Sequence, residues 1–404
     1  METTAKSHLF RAFRSSNYSL YFTGRSVSQF GVWMQRTAVI WVVYSITHNA
    51  FWIGATIFAE QFPSFLFSIL GGVVADRHNK YDVIRITQLS CVVQSVLLAV
   101  LVLTGHAAVW SILALSVVLG IVNAFDVPAR QALIHDVLAD HNDLSNAVAL
   151  TAATASLAQL LGPAISGIIL NAWGAAVCFF INAASFFAVI ICLLLMKLPP
   201  YVPKTTKKHV WKELEEGFRY ITKNTDIGLT ILLLAIVSLL VFPYNTALPV
   251  FAKVVFKGDA STFGYISGFV GAGAIASTIF LAWLKPGVPL RRILLISTVI
   301  MGIGLILFSQ ARSFPLAMFF AACTGIGPIA FITICNVTLQ SEAAPEMRGR
   351  AIGILLMAVF GMLPLGSLLV GAVSQRIGAP ITVLAEGILA LIIVLCFSKF
   401  LWRY

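Results

Sequence analysis

Leu133-Ile134-His135-Asp136-Val137-Leu138-Ala139-Asp140 is answered late in the chain by Leu339-Gln340-Ser341-Glu342-Ala343-Ala344-Pro345-Glu346. Leu133, Asp136, Ala139 and Asp140 precede Leu339, Glu342, Pro345 and Glu346 by 206 residues. About four apolar stretches come before the first segment and about ten before the second, and each runs on into another. An acidic segment repeated at half the chain length predicts a duplicated body, two sets of six spans joined by a polar loop.

Working outward, twelve stretches approach the roughly 20 apolar residues that cross a bilayer as a helix. They are 17–46, 51–75, 83–104, 108–126, 144–170, 175–196, 227–251, 261–284, 291–310, 314–338, 350–373 and 378–400. The chain is 59% hydrophobic and 11% charged over 404 residues, and a soluble domain needs more charge to cover its surface. Barrel strands would alternate over about 10 residues, and these runs do not. The expected fold class is an all-α membrane protein with twelve transmembrane helices in two six-helix pseudo-repeats. The halves are 1–196 and 227–404, with a linker at 197–226.

The net charge of +11 follows topology. With the N-terminus inside, the inner segments hold 21 Lys and Arg, the outer loops four (Lys253, Lys257, Arg312, Arg376), and Arg25 and Arg36 lie in the first span. That bias places both termini in the cytoplasm, and it leaves no case for a nucleic-acid partner. The basic start lacks a short apolar core with a cleavage site, so the first helix is expected to stay uncleaved. Six cysteines fall within apolar spans at spacings of no metal or disulfide framework. In the linker, Pro199, Pro200, Pro203 and the run Lys204–Lys208 precede Trp211, Leu214, Phe218 and Ile221 at helical spacing. This predicts a short amphipathic helix at the inner membrane face, tethering the halves.

Gly72-Val73-Val74-Ala75-Asp76-Arg77-His78-Asn79-Lys80 joins the second and third spans. It resembles the loop signature of the major facilitator superfamily through Gly72, Asp76, Arg77 and Lys80, with Asn79 in place of a glycine and Tyr81 in place of a base. The resemblance implies a latch of the outward-open state against the eleventh span, near Arg348-Gly349-Arg350. A carboxylate at a helix N-terminus is favoured by about 0.3–1 kcal/mol. The matching place in the second half, Ala282-Trp283-Leu284-Lys285-Pro286, has no acid, so a one-sided latch is expected. Gly162-Pro163-Ala164-Ile165-Ser166-Gly167 resembles the fifth-span segment of proton-driven exporters, where a proline bend among small residues lets helices slide. Asn123–Gln131, Asp143–Ala147, Glu216–Tyr220, Arg348–Arg350 and Gly31-Val32-Trp33 narrow the resemblance to the branch of siderophore exporters and macrolide efflux pumps. Val32 stands where that branch commonly has an acid.

Arg25, Gln29, Val32 and Arg36 share one stripe of the first helix. Glu60, in the second span, is close in depth to Arg36. A charge at the bilayer centre costs roughly 2.5–3.5 kcal/mol, so these groups should face a cavity or each other. Glu60 with Arg36 is the expected proton-coupling pair, a static pair being the rival reading. Asp126 is the second coupling candidate, read first as an inner-gate group with Arg130. Glu386, in the twelfth span, is read as structural. The resemblance implies a cavity lined by spans 1, 4, 7 and 10. Arg25, Gln29, Trp33, Asn123, Phe242, Tyr244, Asn245 and Asn336 are its candidate substrate contacts, Phe242–Asn245 on a proline-broken helix. Gating falls to Gly72, Asp76, Arg77, Lys80, Arg130, Gly162, Pro163, Arg348 and Arg350.

No nucleotide-binding Gly-x-x-x-x-Gly-Lys-Ser/Thr motif and no catalytic constellation occur, so neither an enzyme nor a bound cofactor or metal is expected. The reading is a monomeric secondary transporter of the bacterial inner membrane, exporting a small amphiphilic compound, siderophore or macrolide-like, against protons. Two rivals stay open: an uptake carrier or lipid flippase on the same scaffold, and a receptor or assembly partner that no longer transports.

Overall fold

The computed structural model describes residues 11–197, 210–285 and 287–401. Within them the chain is helical, with no strand. Six long helices come first: α1 (Ser16–Thr47), α2 (Ala50–Arg77), α3 (Lys80–Leu103), α4 (Val109–Asp136), α5 (Leu144–Trp173) and α6 (Ala175–Leu195). The linker helix α7 (Val210–Lys223) leads into α8 (Thr225–Leu240), then α9 (Leu248–Val250), α10 (Ala260–Ala282), α11 (Leu290–Gln310), α12 (Phe314–Glu342), α13 (Arg348–Ile377) and α14 (Ala379–Cys396). Eleven helices among the described residues are long and apolar enough to cross a membrane, counting Thr225–Val255 as one. The helix outside that set is α1, whose Arg25, Gln29, Gln35 and Arg36 make it more polar.

The chain packs as two compact units. One holds residues 1–42 and 63–207, the other 43–62 and 208–404. The linear division at the linker therefore shifts in one stretch, because the turn between α1 and α2 joins the second unit. There Gln375 Oε1 accepts from the Ala50 N–H at 3.2 Å, and a side chain on Gly371 would press on the Ala50 carbonyl. In the first unit α3 packs on α4 and α6; in the second, α12 packs on α10 and α11, and α11 on α14. These pairs approach closely through small residues, as apolar helices without a hydrophobic driving force between them do. A Cβ on Gly302 would meet the Gly387 carbonyl, and one on Gly325 the Val270 carbonyl.

Helix ends follow local chemistry. Asn79, where the family signature has glycine, is extended (φ −63°, ψ 113°) and its side chain accepts from the Tyr81 N–H, capping α3. Asp259 and Thr262 form a capping box at α10. Gly174 (φ 81°, ψ 171°) turns α5 into α6, and Gly378 (φ 89°, ψ 148°) turns α13 into α14. Both lie in a region that only glycine adopts at low cost.

Three expectations change. The fourth span, expected to end at 126, continues to Asp136 with Pro128 inside it, since one proline removes a single backbone bond. The tenth-span helix continues to Glu342. The linker helix forms as expected, but Ile221 is buried and Phe218 is 51% exposed, so its apolar residues do not share one environment. Tyr220 Oη accepts from the Ala344 N–H at 3.0 Å, and Gly217 sits against Arg350 and Ile354, docking α7 on α13. The side chains of Trp211 and Leu214, and the stretch Pro199–Lys208, lie outside the described residues.

Candidate functional site

The extension of α4 places Asp126 and Arg130 one turn apart on its buried face, where they form an ion pair with side chains 3% and 9% exposed. Thr87 and Gln88 of α3 donate to Asp126 Oδ1 at 2.7 and 3.0 Å. Arg130 Nε and Nη1 meet no acceptor. Arg25 and Tyr21 of α1 stand within the field of this pair, and Tyr21, Gly24, Arg25, Ile84, Arg130 and Cys192 line a small crevice. One carboxylate is thus held by Thr87, Gln88 and Arg130, with the Arg25 guanidinium nearby. The structure ties Asp126 to a fixed network and brings Arg25 to it, four residues below Gln29.

Arg25, Gln29, Val32 and Arg36 are all half-buried, as one stripe of α1 requires. Arg36 rests over the Trp33 ring, 5.5 Å from its centroid. Trp33 lies against Gly162 of α5, where any side chain would strike its Cβ, and Ser166 Oγ donates to the Met34 carbonyl at 3.0 Å. The Gly162-Pro163 segment is therefore the crossing point of α1 and α5. Glu60 is half-buried in α2 and belongs to the second compact unit, whereas Arg36 belongs to the first. Asn123 is half-buried on α4. Sequence reading missed a buried network: Gln35 Oε1 accepts from Ser95 at 2.7 Å and Asn182 at 2.8 Å, while Gln35 Nε2 donates to Gln94 Oε1 at 3.0 Å. Its signal was present, four polar residues inside apolar spans.

In the loop signature, Asp76 and Arg77 are exposed. Lys80 Nζ bonds Asp136 Oδ2 at 2.7 Å and the Ala132 carbonyl at 3.3 Å, joining the start of α3 to the end of α4. Its counterpart in the second unit is Arg291 Nη2 on Glu342 Oε1, also 2.7 Å, joining the start of α11 to the end of α12. Asp136 and Glu342 are equivalent positions of the repeated segment, so this clamp is two-sided although the Asp76 acid is not. The glycine in close contact is Gly71, whose side chain would overlap the Ala124 carbonyl; Gly72 has open space around it. Arg348 is exposed, and Arg350 pairs with Glu216 of the linker helix at 3.1 Å.

In the second unit the helix begun by α8 breaks. Phe242–Ala247 winds as a 3-10 segment, and Phe251–Val255 as a π turn. Pro243 and Pro249 supply no N–H, which explains the break. Asn245 is exposed, but Phe242 and Tyr244 are buried, Phe242 edge-on to Phe331 with centroids 6.0 Å apart. The two aromatic side chains, expected as substrate contacts, instead pack into their own bundle. Asn336 is half-buried and accepts from Gln340 at 2.6 Å. No group of three or more His, Cys, Asp or Glu among the described residues could hold a metal.

Comparison with known proteins fits this arrangement. The transmembrane secretion effector family matches residues 7–403. The staphyloferrin A transporter of Staphylococcus aureus is 29% identical over 385 residues, 93% of this chain and 94% of that one. The enterobactin exporter of Escherichia coli is 24% identical over 334 residues, 82% of this chain and 79% of that one. Among solved structures, the nucleoside transporter NupG superposes with a TM-score of 0.75 at 15% identity, covering 96% of this chain and 100% of that one. These relatives are transporters and not enzymes. With a match over nearly its whole length, the chain belongs to the transmembrane secretion effector family of the major facilitator superfamily.

Proposed function

We propose that this membrane transporter is a proton-coupled exporter of a small amphiphilic siderophore, working as a monomer by alternating access in the bacterial inner membrane. The observation that carries the reading is near-full-length similarity to one siderophore transporter and most-of-length similarity to one siderophore exporter. On this reading α1 is the twelfth span, and both termini face the cytoplasm by the basic bias of the loops. The matched clamps Lys80–Asp136 and Arg291–Glu342, with the matched turns at Gly174 and Gly378, support two six-helix pseudo-repeats. Glu60 and Arg36 carry the proton coupling. Asp126, with Arg130, Gly72, Asp76, Arg77, Lys80, Gly162, Pro163, Arg348 and Arg350, belongs to the gate. Arg25, Gln29, Trp33, Asn123, Asn245 and Asn336 contact substrate, with Phe242 and Tyr244 behind Asn245.

The test is proteoliposome transport under a pH gradient with staphyloferrin A, enterobactin and a macrolide, using the wild type and Glu60→Gln. Siderophore movement with counter-flow of protons, lost in Glu60→Gln, is the expected result. Coupled movement that survives the substitution removes Glu60 from the coupling role. Movement of the macrolide alone overturns the siderophore assignment, and transport into the cytoplasmic side overturns the direction.

A further inference from the structure

Among the described residues of the second unit, Glu386 is the one carboxyl that lies deep within a membrane-crossing helix and is almost fully buried. It is 3% exposed, and neither carboxyl oxygen meets a hydrogen-bond partner among the described residues. A buried polar group without a partner is rare enough in native structures to require a reason. Ordinary packing does not supply one, since leucine would fill the site without the desolvation cost. The next residue, Gly387, lies against the backbone of Gly302, so α14 and α11 touch backbone to backbone at this level.

The helix of Glu386, α14, packs against α8 and against the 3-10 turn at the break in the helix Thr225–Val255. Glu386 acts electrostatically on Tyr244, whose hydroxyl lies beside Thr324 yet closes no bond of good geometry. Ser238 and Thr246, on the same broken helix, also carry fully buried hydroxyls without partners. Asn245, next to Tyr244 on the 3-10 turn, is exposed. An exposed polar residue therefore adjoins the buried phenol on which the acid acts.

The charges on the neighbouring helices lie toward their ends. α11 bears Arg291 and Arg292 in its first turn, α13 bears Arg348, Arg350 and Arg376 at its ends, and α8 bears Asp226 in its first turn. Thr324 is a polar group that α12 presents near Tyr244.

We propose that Glu386 is a proton-binding site of the C-terminal bundle, loaded and emptied through the Tyr244 hydroxyl at the helix break. The proposal rests on the proton-coupled reading above and adds a second site to it. At rest the carboxyl carries its proton, because a lone carboxylate in an apolar bundle has nothing to offset its lost hydration. On release, the Tyr244 oxygen accepts that proton as its own leaves toward water at the Asn245 face. The phenol then turns to donate to the carboxylate it has created. The hydroxyl is unchanged and one proton has moved. A helix that is already broken can shift that hydroxyl without breaking further backbone bonds, which links loading to conformation.

The experiment is infrared spectroscopy of the full chain in lipid, wild type against E386Q and Y244F, in water and after transfer to deuterium oxide. A protonated-carboxyl band present in the wild type, absent in E386Q, and shifted on deuteration supports the site. Exchange slowed roughly a hundredfold in Y244F supports the relay. A band that E386Q leaves intact, or one that never shifts in deuterium oxide, overturns the proposal. Should E386Q fail to fold, Y244F and E386D, which both keep the acid, carry the same measurement. In proteoliposomes E386Q should keep downhill movement of staphyloferrin A and lose its accumulation against a gradient. Coupling intact in E386Q overturns the proposal alone. A wild type that moves substrate without protons overturns the coupled function, which the exchanging carboxyl band distinguishes from failure of the site.

Discussion

Asp126→Asn separates a charge held for structure from one exchanged for transport. The pair Asp126–Arg130 is almost wholly buried, with side chains 3% and 9% exposed, and Arg25 lies in its field. Asparagine keeps the shape and an acceptor for Thr87 and Gln88 but removes the countercharge to Arg130. Removing one member of a buried pair costs about 3–5 kcal/mol. At roughly 2–4 °C per kcal/mol for a bundle of this size, the melting temperature should fall by about 6–20 °C. The chain contains its own control. Glu215–Arg219 has the same i,i+4 spacing at 3.0 Å, but its side chains are 67% and 69% exposed, so Glu215→Gln should cost under about 0.5 kcal/mol. Thermal unfolding in detergent, followed by tryptophan fluorescence, measures both. The double variant Asp126→Asn/Arg130→Gln should recover more than half of the loss, because the orphaned cation goes with its partner. An Asp126→Asn protein that melts within about 2 °C of wild type, or a double variant as unstable as the sum, refutes the reasoning. Either result would return Asp126 to the proton-coupling candidates.

Gly71→Val should lower the melting temperature by the equivalent of about 1–3 kcal/mol or prevent folding, since its side chain meets the Ala124 backbone. Gly72→Ala has open space and should hold or raise stability by up to about 1 kcal/mol; transport lost without instability would then place Gly72 in the latch. Charge reversal at Lys80 or at Asp136 should each cost up to about 1 kcal/mol at this partly exposed pair, with the swap Lys80→Asp/Asp136→Lys restoring most of it in a double-mutant cycle. Gly54→Val should undock the α1–α2 turn from α13, because its side chain would strike the Ser367 carbonyl; faster hydrogen exchange over residues 48–56 and 365–375 would register it, and unchanged exchange would count against the contact.

The similar segments around Leu133 and Leu339 were legible because each closes a long helix with the same chemistry. Both leucines are buried and both acids clamp a base. The bases were not legible, since Lys80 and Arg291 do not share the 206-residue offset of the acids. Loop length can drift where side-chain reach can follow. Gly71 and Gly72 illustrate a second limit. Adjacent residues on a helix point about 100° apart, so pattern alone could not say which glycine faces α4. The broken helix sets a third. Reading faces from Phe242 to Asn245 assumes a constant period, and the chain there passes from α to 3-10 to π geometry. Phe242, Tyr244 and Asn245 were expected as substrate contacts on a proline-broken helix, and of the three only Asn245 is exposed.

The two units treat their buried acids in opposite ways, and the difference bears on how a carrier could divide its work. In the first unit, Asp126 accepts from Thr87, Gln88 and Arg130, with a second guanidinium nearby. Each of these donors fixes the position of its carboxylate oxygens. In the second unit, Glu386 meets no hydrogen-bond partner among the described residues, and on the proposal above its state follows what the broken helix brings to it. A fixed charge suits orientation of an anionic or amphiphilic substrate, because it works at every stage of the cycle. A variable charge suits coupling, because it changes only when the surroundings change. Had both acids been bracketed by bases, each bundle would hold a fixed ion network, and on the proposed reading coupling would fall to Glu60 alone. Had both been bare, nothing would anchor α1, α3 and α4 around the crevice that Arg25 and Arg130 line.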